Sequence, residues 1–260
     1  MIDDFTKLEC PFVRKTYEVD KKDWKEHGSK LELKEPNVYI VTPELAEGFS
    51  WVLEHKDTTA IEKLHGTNVG VVVEKNRLVH IQNRTTVIDM YQINGGKSHL
   101  VEGILQAVGK GYIETNSGVQ YGECLGPKLN CNMYNLPMHL WYPFTVARKQ
   151  LLYKSFHNHE KGFWQWSEWF RVALKSIFYC RYHKIPISDM FTNIEVPFAE
   201  GIVFTNQTIS EIPNKPRMAK LRRNMFPWYY WDKIKIIGLE DFWYDYAEKN
   251  KIVKKVDYIY

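Results

Sequence analysis

A lysine at the end of a predicted strand, followed by a tight turn and an amide, stands at Glu62-Lys63-Leu64-His65-Gly66-Thr67-Asn68. Such a lysine can attack a nucleotide phosphorus, provided that its amine gives up a proton. From a reference pKa of about 10.4, that requires neighbouring cations, a metal or desolvation to favour the neutral form. A turn beside a phosphate site supplies such neighbours. Gly66 lets the backbone bend close to a ligand, while Thr67 and Asn68 offer a hydroxyl and an amide to phosphates. Taken alone, these seven residues also fit a surface turn.

Further elements follow in order. At Tyr121-Gly122-Glu123-Cys124-Leu125-Gly126 a glutamate on a strand leads into a glycine turn, where it can bond a ribose hydroxyl. At Ala199-Glu200-Gly201-Ile202-Val203-Phe204 a second glutamate precedes a strand that reads as buried, and its hard oxygens suit a divalent cation. Ala219-Lys220-Leu221-Arg222 alternates apolar and basic residues, so both cations project from one side of a strand. A lysine, two carboxylates and a paired cationic strand are the parts that a phosphate-activating site needs.

The elements that position these groups are read from periodicity. Residues 68–73 and 78–83 predict two strands joined across 74–77, a connection of hairpin length, so the Lys63 turn feeds into a hairpin. Residues 119–124, 202–205 and 218–222 read as further strands. Thr42-Pro43-Glu44 looks like a helix start. Leu100, Val101, Ile104, Leu105 and Val108 recur at helical spacing before Gly109 and Gly111. Over residues 162–183, Phe163, Trp166, Trp169, Phe170, Ala173, Leu174, Ile177 and Phe178 keep close to a 3.6 period, predicting one helix lying on the sheet.

With 260 residues, 44% hydrophobic and 25% charged, the chain is neither disordered nor fibrous, and it shows no internal repeat or flexible linker. One domain is expected over residues 1–260. No apolar run is long enough to span a membrane, and the acidic start Met1-Ile2-Asp3-Asp4 does not resemble a signal peptide. Cys10, Cys124, Cys131 and Cys180 lack CxxC spacing, which points to a reducing, cytoplasmic setting and away from zinc. The net charge of +4 is compatible with a local basic patch. Trp164, Trp166 and Trp169, and the cluster Trp228-Tyr229-Tyr230-Trp231, are read as core ahead of a base-stacking surface.

The ordered set over 59–223 resembles the covalent nucleotidyltransferase superfamily of ligases and capping enzymes, and within it the RNA ligase 2 family most closely. The family's lysine turn commonly reads KxHGTN, met here by Lys63-Leu64-His65-Gly66-Thr67-Asn68; capping enzymes and DNA ligases usually carry aspartate at the place of His65. The resemblance implies an α+β nucleotidyltransferase fold, with antiparallel sheets around an ATP pocket and flanking helices. It implies an ATP-dependent RNA ligase using Mg²⁺ or Mn²⁺ and joining RNA 3′-hydroxyl and 5′-phosphate ends through a lysyl-adenylate on Lys63. His65 is then implicated in lysine adenylation and Asn68 in the nucleic-acid steps. Arg84 falls near the ribose and the 5′-end, Glu123 contacts the ribose, and Glu200 belongs to the metal site. Lys220 and Arg222 match the pair that contacts the α-phosphate as pyrophosphate leaves.

The aromatic that stacks on adenine is expected from a strand at Trp141-Tyr142-Pro143-Phe144, with Phe144 the choice and Trp141 or Tyr142 the alternatives. Three departures from the family stand out. Thr145 replaces a usual aspartate, Arg222 replaces a usual lysine and turns a point charge into a planar fork, and the stretch after Arg222 is too short for an OB domain. RNA is therefore expected to be held by a small basic surface including Lys215, Arg217, Lys220, Arg222 and Arg223, or with an accessory partner; a viral or phage source acting in host cytosol also fits. The alternatives are a DNA or nick-specific ligase of the same chemistry and a non-catalytic nucleic-acid binding module. Two other signals are discounted: Gly96-Lys97-Ser98 imitates the end of a P-loop without its first glycine, and His157-Asn158-His159-Glu160 lacks further metal ligands at recognisable spacing.

Overall fold

Residues 67–83 fold as their patterning predicts, into two strands, Thr67–Glu74 and Arg77–Asn83. They are joined by Lys75 and Asn76, both with positive φ (47° and 61°). A two-residue turn of this hand matches the twist of the strands it joins, so the connection is shorter than the four residues expected. The structure is a computed structural model that describes residues 2–3, 5, 7–91, 95–115, 118–158, 160–209, 216–230 and 233–239.

In chain order the described residues form β1 (Phe12–Glu18), α1 (Lys21–His27), β2 (Asn37–Leu45), α2 (Trp51–Glu54), β3 (Thr59–Lys63), β4 (Thr67–Glu74), β5 (Arg77–Asn83), β6 (Thr86–Val87), α3 (Ser98–Gly109), β7 (Gly118–Leu125), β8 (Leu140–Pro143), α4 (Phe144–Gln150), α5 (Phe163–Val172), α6 (Ile177–Tyr182), β9 (Gly201–Asn206) and β10 (Arg217–Arg222). The pairings between these strands are antiparallel, in sheets β1-β2, β10-β9-β3 and β6-β5-β4-β7-β8, as an α+β chain requires. Two compact units are distinguished. The lysine unit comprises Leu8–Lys63, Tyr153–Lys175 and Glu200–Tyr260; the five-stranded unit comprises Met1–Lys7, Leu64–Leu152 and Ser176–Ala199. The chain passes from the first to the second between Lys63 and Leu64. Among the described residues no helix is long and apolar enough to cross a membrane.

In the lysine unit the expected helix at Thr42-Pro43-Glu44 is instead the end of β2. Pairing with β1 overrides the local helix-start signal. Pro43 is tolerated because the register shifts between Phe12 and Arg14, opposite it, where a missing N–H costs no ladder bond. The helix expected over 162–183 is also corrected. It breaks into α5 and α6 at residues 173–176, where Leu174 N–H reaches back to the Trp169 carbonyl and the Ser176 hydroxyl caps Tyr179 N–H. Its eight apolar residues are all buried, but they serve two cores. In the lysine unit Trp166 of α5 stacks on Phe204 of β9 at 5.0 Å. In the five-stranded unit Phe178 of α6 meets Tyr142 of β8 at 5.1 Å.

The aromatic clusters are core in part: Trp166, Trp169 and Tyr230 are buried, Trp164, Trp228 and Tyr229 are half-buried, and Trp231 lies outside the described residues. Val19, Val38, Ile40, Tyr230, Ile234 and Ile236 form a satellite core beneath the β1-β2 sheet. In the five-stranded unit α3 buries Leu100, Gly103, Ile104 and Ala107, whereas Leu105 and Val108, expected on the apolar face, are exposed. The face is rotated because Gly103 brings α3 close: a Cβ there would lie 2.7 Å from Cys124 Sγ and 3.2 Å from Trp141 N. Cys124 is the small core residue expected, its thiol pushed up to about 12 by burial.

Candidate active site

β3, β9 and β10 lay the lysine unit's charged groups out by register. Lys63 stands opposite Gly201, and Gly201 opposite Arg222; two positions along, Ile61, Val203 and Lys220 form the next row. Residues in one row share a face, so Lys63, Lys220 and Arg222 project together, as the alternation on β10 predicts. Ala60, Ile202, Phe204, Ala219 and Leu221 occupy the other, buried face. Glu62 lies there too, 2% exposed, a buried carboxylate to which the sequence reading assigned no role.

Glu200 immediately precedes β9, and its Oε2 lies 2.6 Å from Lys63 Nζ. Oε1 stands 4.0 Å from Arg222 Nη1. The Glu200 carbonyl accepts the Arg223 N–H at 2.9 Å, tying the carboxylate's backbone to the end of β10. Arg222 Nε is buried with no hydrogen-bond partner among the described residues. An orphan cationic donor beside two other cations is the environment that an anion such as a phosphate satisfies. Arg223 differs from the expected basic surface. Its guanidinium turns inward to donate to the Phe170 carbonyl at 2.8 Å, and burial pulls it down to about 10. Arg217 is exposed and donates to the Gly48 carbonyl at 2.6 Å, and Lys215 lies outside the described residues.

In the five-stranded unit, Asn68 of β4 is registered opposite Glu123 of β7, which puts these two predicted site residues side by side on one face. The Asn83 amide donates to the Asn68 carbonyl at 2.8 Å. Arg84 is exposed at the turn between β5 and β6 with φ 52°, and its carbonyl accepts from the Gln82 side chain. Phe144 differs in setting from the expected strand: it opens α4, half-buried, with the Phe5 ring 5.0 Å away. Trp141 and Tyr142 are core residues. Trp141 is fully buried and donates to the Val69 carbonyl at 3.0 Å, and the Tyr142 hydroxyl donates to Gln150. Of the three aromatics, Phe144 alone is not buried.

The turn after Lys63 is gripped by residues the sequence reading passed over. Tyr134 Oη accepts the His65 N–H at 2.8 Å, and Asn130 Nδ2 donates to the Gly66 carbonyl at 2.9 Å. The legible signal was the run Asn130-Cys131-Asn132-Met133-Tyr134-Asn135, because asparagine is the non-glycine residue that most readily takes a left-handed backbone. Gly66 itself admits no side chain: a Cβ would lie 2.3 Å from the Cys124 carbonyl oxygen. Gly66→Ala is therefore expected to cost about 1–3 kcal/mol through forced displacement of backbone, read as a lower urea midpoint. A midpoint equal to wild type would show that the turn has slack.

A family model described as RNA ligase matches residues 56–223. The chain belongs to the RNA ligase family. The matched span begins just ahead of β3 and ends just after β10, so it contains Lys63, Glu123, Glu200, Lys220 and Arg222. Membership of the RNA ligase family points to ligase activity on RNA substrates. A comparison with curated proteins found no match.

Among the described residues no group of three or more His, Cys, Asp or Glu could hold a metal ion, and His159 is not among them. Glu200 nonetheless fits Mg²⁺ or Mn²⁺ as a single hard-oxygen ligand. Small divalent cations are commonly held by one or two carboxylates together with substrate phosphates and water.

Proposed function

We propose that the chain is an ATP-dependent RNA ligase with the nucleotidyltransferase fold, working through a lysyl-adenylate on Lys63. The observation that carries this reading is the row Lys63, Gly201, Arg222, with Glu200 at 2.6 Å from the lysine, inside the span matched to the RNA ligase family. Lys63 Nζ, freed from Glu200 and deprotonated, attacks the α-phosphorus of ATP. A P–N bond forms, the bond from that phosphorus to the β-phosphate oxygen breaks, and pyrophosphate leaves. Lys220 and Arg222 offset the charge that builds on the α-phosphate, and Arg222 brings the unpartnered Nε described above. A bound Mg²⁺ or Mn²⁺ at Glu200 would supply further screening of the triphosphate. Glu123 bonds the ribose and Phe144 stacks on adenine. His65 supports the adenylation step.

In the second step an oxygen of the RNA 5′-phosphate attacks the phosphorus of the lysyl-adenylate, breaking the P–N bond and leaving AMP on the RNA end. In the third, the RNA 3′-hydroxyl attacks that 5′-phosphate, a phosphodiester forms and AMP departs. Asn68 and Arg84 serve these nucleic-acid steps, with Arg217 or an accessory partner helping to hold RNA. The setting is the cytoplasm.

The test is covalent labelling. The purified protein, first treated with pyrophosphate to discharge any resident adenylate, is incubated with ATP or GTP labelled at the α-phosphate and Mg²⁺ or Mn²⁺. The labelled enzyme is then chased with 5′-phosphorylated RNA or DNA. Label from ATP passing to RNA is expected. Label from GTP would indicate capping chemistry, transfer to DNA in preference would indicate a DNA ligase, and no label from a folded protein would favour a binding module.

A further inference from the structure

Three consecutive non-glycine residues, Asn130, Cys131 and Asn132, hold positive φ (43°, 55° and 47°) in the five-stranded unit. Each L-residue in this region meets its own carbonyl sterically, and asparagine tolerates it better than cysteine. Such a run persists only where its surroundings over-determine it, and strain of this kind concentrates at functional sites. The surroundings here are explicit. Asn132 exchanges two hydrogen bonds with Leu136, its Nδ2 donating to the Leu136 carbonyl and its Oδ1 accepting the Leu136 N–H, each at 3.0 Å. Upstream, Lys128 N–H donates to His139 Nε2 at 3.1 Å, while His139 Nδ1 is 2.7 Å from Glu102. Downstream, His183 Nε2 donates to the Tyr134 carbonyl at 2.9 Å, and the Tyr134 ring, 1% exposed, packs edge-on against Phe178.

What this strained, anchored segment presents is two polar groups, both directed at the turn that follows the nucleophile. Tyr134 Oη takes the N–H of His65, and Asn130 Nδ2 meets the carbonyl of Gly66. These are adjacent residues, two and three positions after Lys63. His65 and Gly66 are themselves only partly buried. A grip on both backbone groups fixes the backbone that carries His65, and small misplacements of a participating group are costly in rate.

We propose that Asn130 and Tyr134 are positioning residues for the adenylation step, holding His65 and Gly66 in place through the Tyr134 Oη to His65 N–H and Asn130 Nδ2 to Gly66 carbonyl hydrogen bonds. This rests on the lysyl-adenylate reading above. Neither residue touches the nucleotide; both act through the turn.

The test compares wild type with Tyr134→Phe, which removes one oxygen and keeps the ring, and Asn130→Gly, which keeps the left-handed backbone and deletes the amide. Single-turnover labelling of Lys63 is measured across ATP concentrations, with thermal melting in parallel. The maximal rate is expected to fall between about 10- and 100-fold in each variant. The ATP concentration for half-maximal rate should stay within about threefold and the melting temperature of Asn130→Gly should hold, because glycine relieves the backbone. If one variant fails to fold, the other decides. Maximal rates near wild type overturn the proposal, as does a rate loss that merely tracks lost melting temperature or appears only as weaker ATP binding. If wild type itself forms no adenylate, the parent reading fails and this one with it; if wild type labels and the variants match it, this one fails alone.

Discussion

Lys63→Ala is expected to abolish covalent label from α-labelled ATP, a loss of about 10⁴-fold or more, as removal of a sole nucleophile implies. Folding should survive. The lysine side chain is 20% exposed at a strand end, and Arg222 remains 4.0 Å from Glu200 to balance its charge. Lys63→Arg sharpens the experiment. Arginine keeps the positive charge and can still pair with Glu200, but its guanidinium stays protonated and is no nucleophile. Loss of label in both variants, with melting temperatures close to wild type, assigns the effect to the amine. Retained label in either would place the adenylate on another residue and sink the mechanism.

Glu200→Gln is expected to slow adenylation by about 10²- to 10³-fold, the range for removing one preorganised electrostatic partner. Glutamine keeps the side chain's shape, so the change is one of charge. Two things change together: the carboxylate that holds Lys63 Nζ at 2.6 Å, and the hard-oxygen ligand proposed for a divalent cation. Their shares are separable by titrating Mg²⁺ or Mn²⁺ in the variant. Recovery at high cation concentration would assign the larger share to metal binding; a loss insensitive to cation would assign it to placement of the lysine. An adenylation rate within about threefold of wild type would remove Glu200 from the mechanism.

Much of the candidate site was legible because it is made of local patterns. The alternation on β10 puts Lys220 and Arg222 on one face whatever the strand pairs with, and the left-handed pair Lys75 and Asn76 closes the β4-β5 hairpin within a few residues. Where local signals competed with pairing they lost. Thr42-Pro43-Glu44 carries a helix start, yet β1 draws it into a strand with a register shift opposite the proline. Residues 162–183 keep one apolar period throughout, yet the chain between Ala173 and Ser176 turns, and the two halves bury into separate cores. Periodicity records which side chains are buried, not which core receives them.

By itself, then, the sequence determined the candidate groups, their order and most of the strands near them, since residue chemistry and the two-residue repeat of a strand are local properties. Tertiary structure alone decided which groups meet. Lys63 and Glu200 are 137 positions apart, and only the antiparallel register of β3 on β9 brings them to 2.6 Å. Asn130 and Tyr134 reach the turn after the lysine from more than sixty positions away, through a left-handed run that no periodicity announces. Such contacts depend on the closure of long loops and on the choice of register, and both are settled by packing across the whole unit.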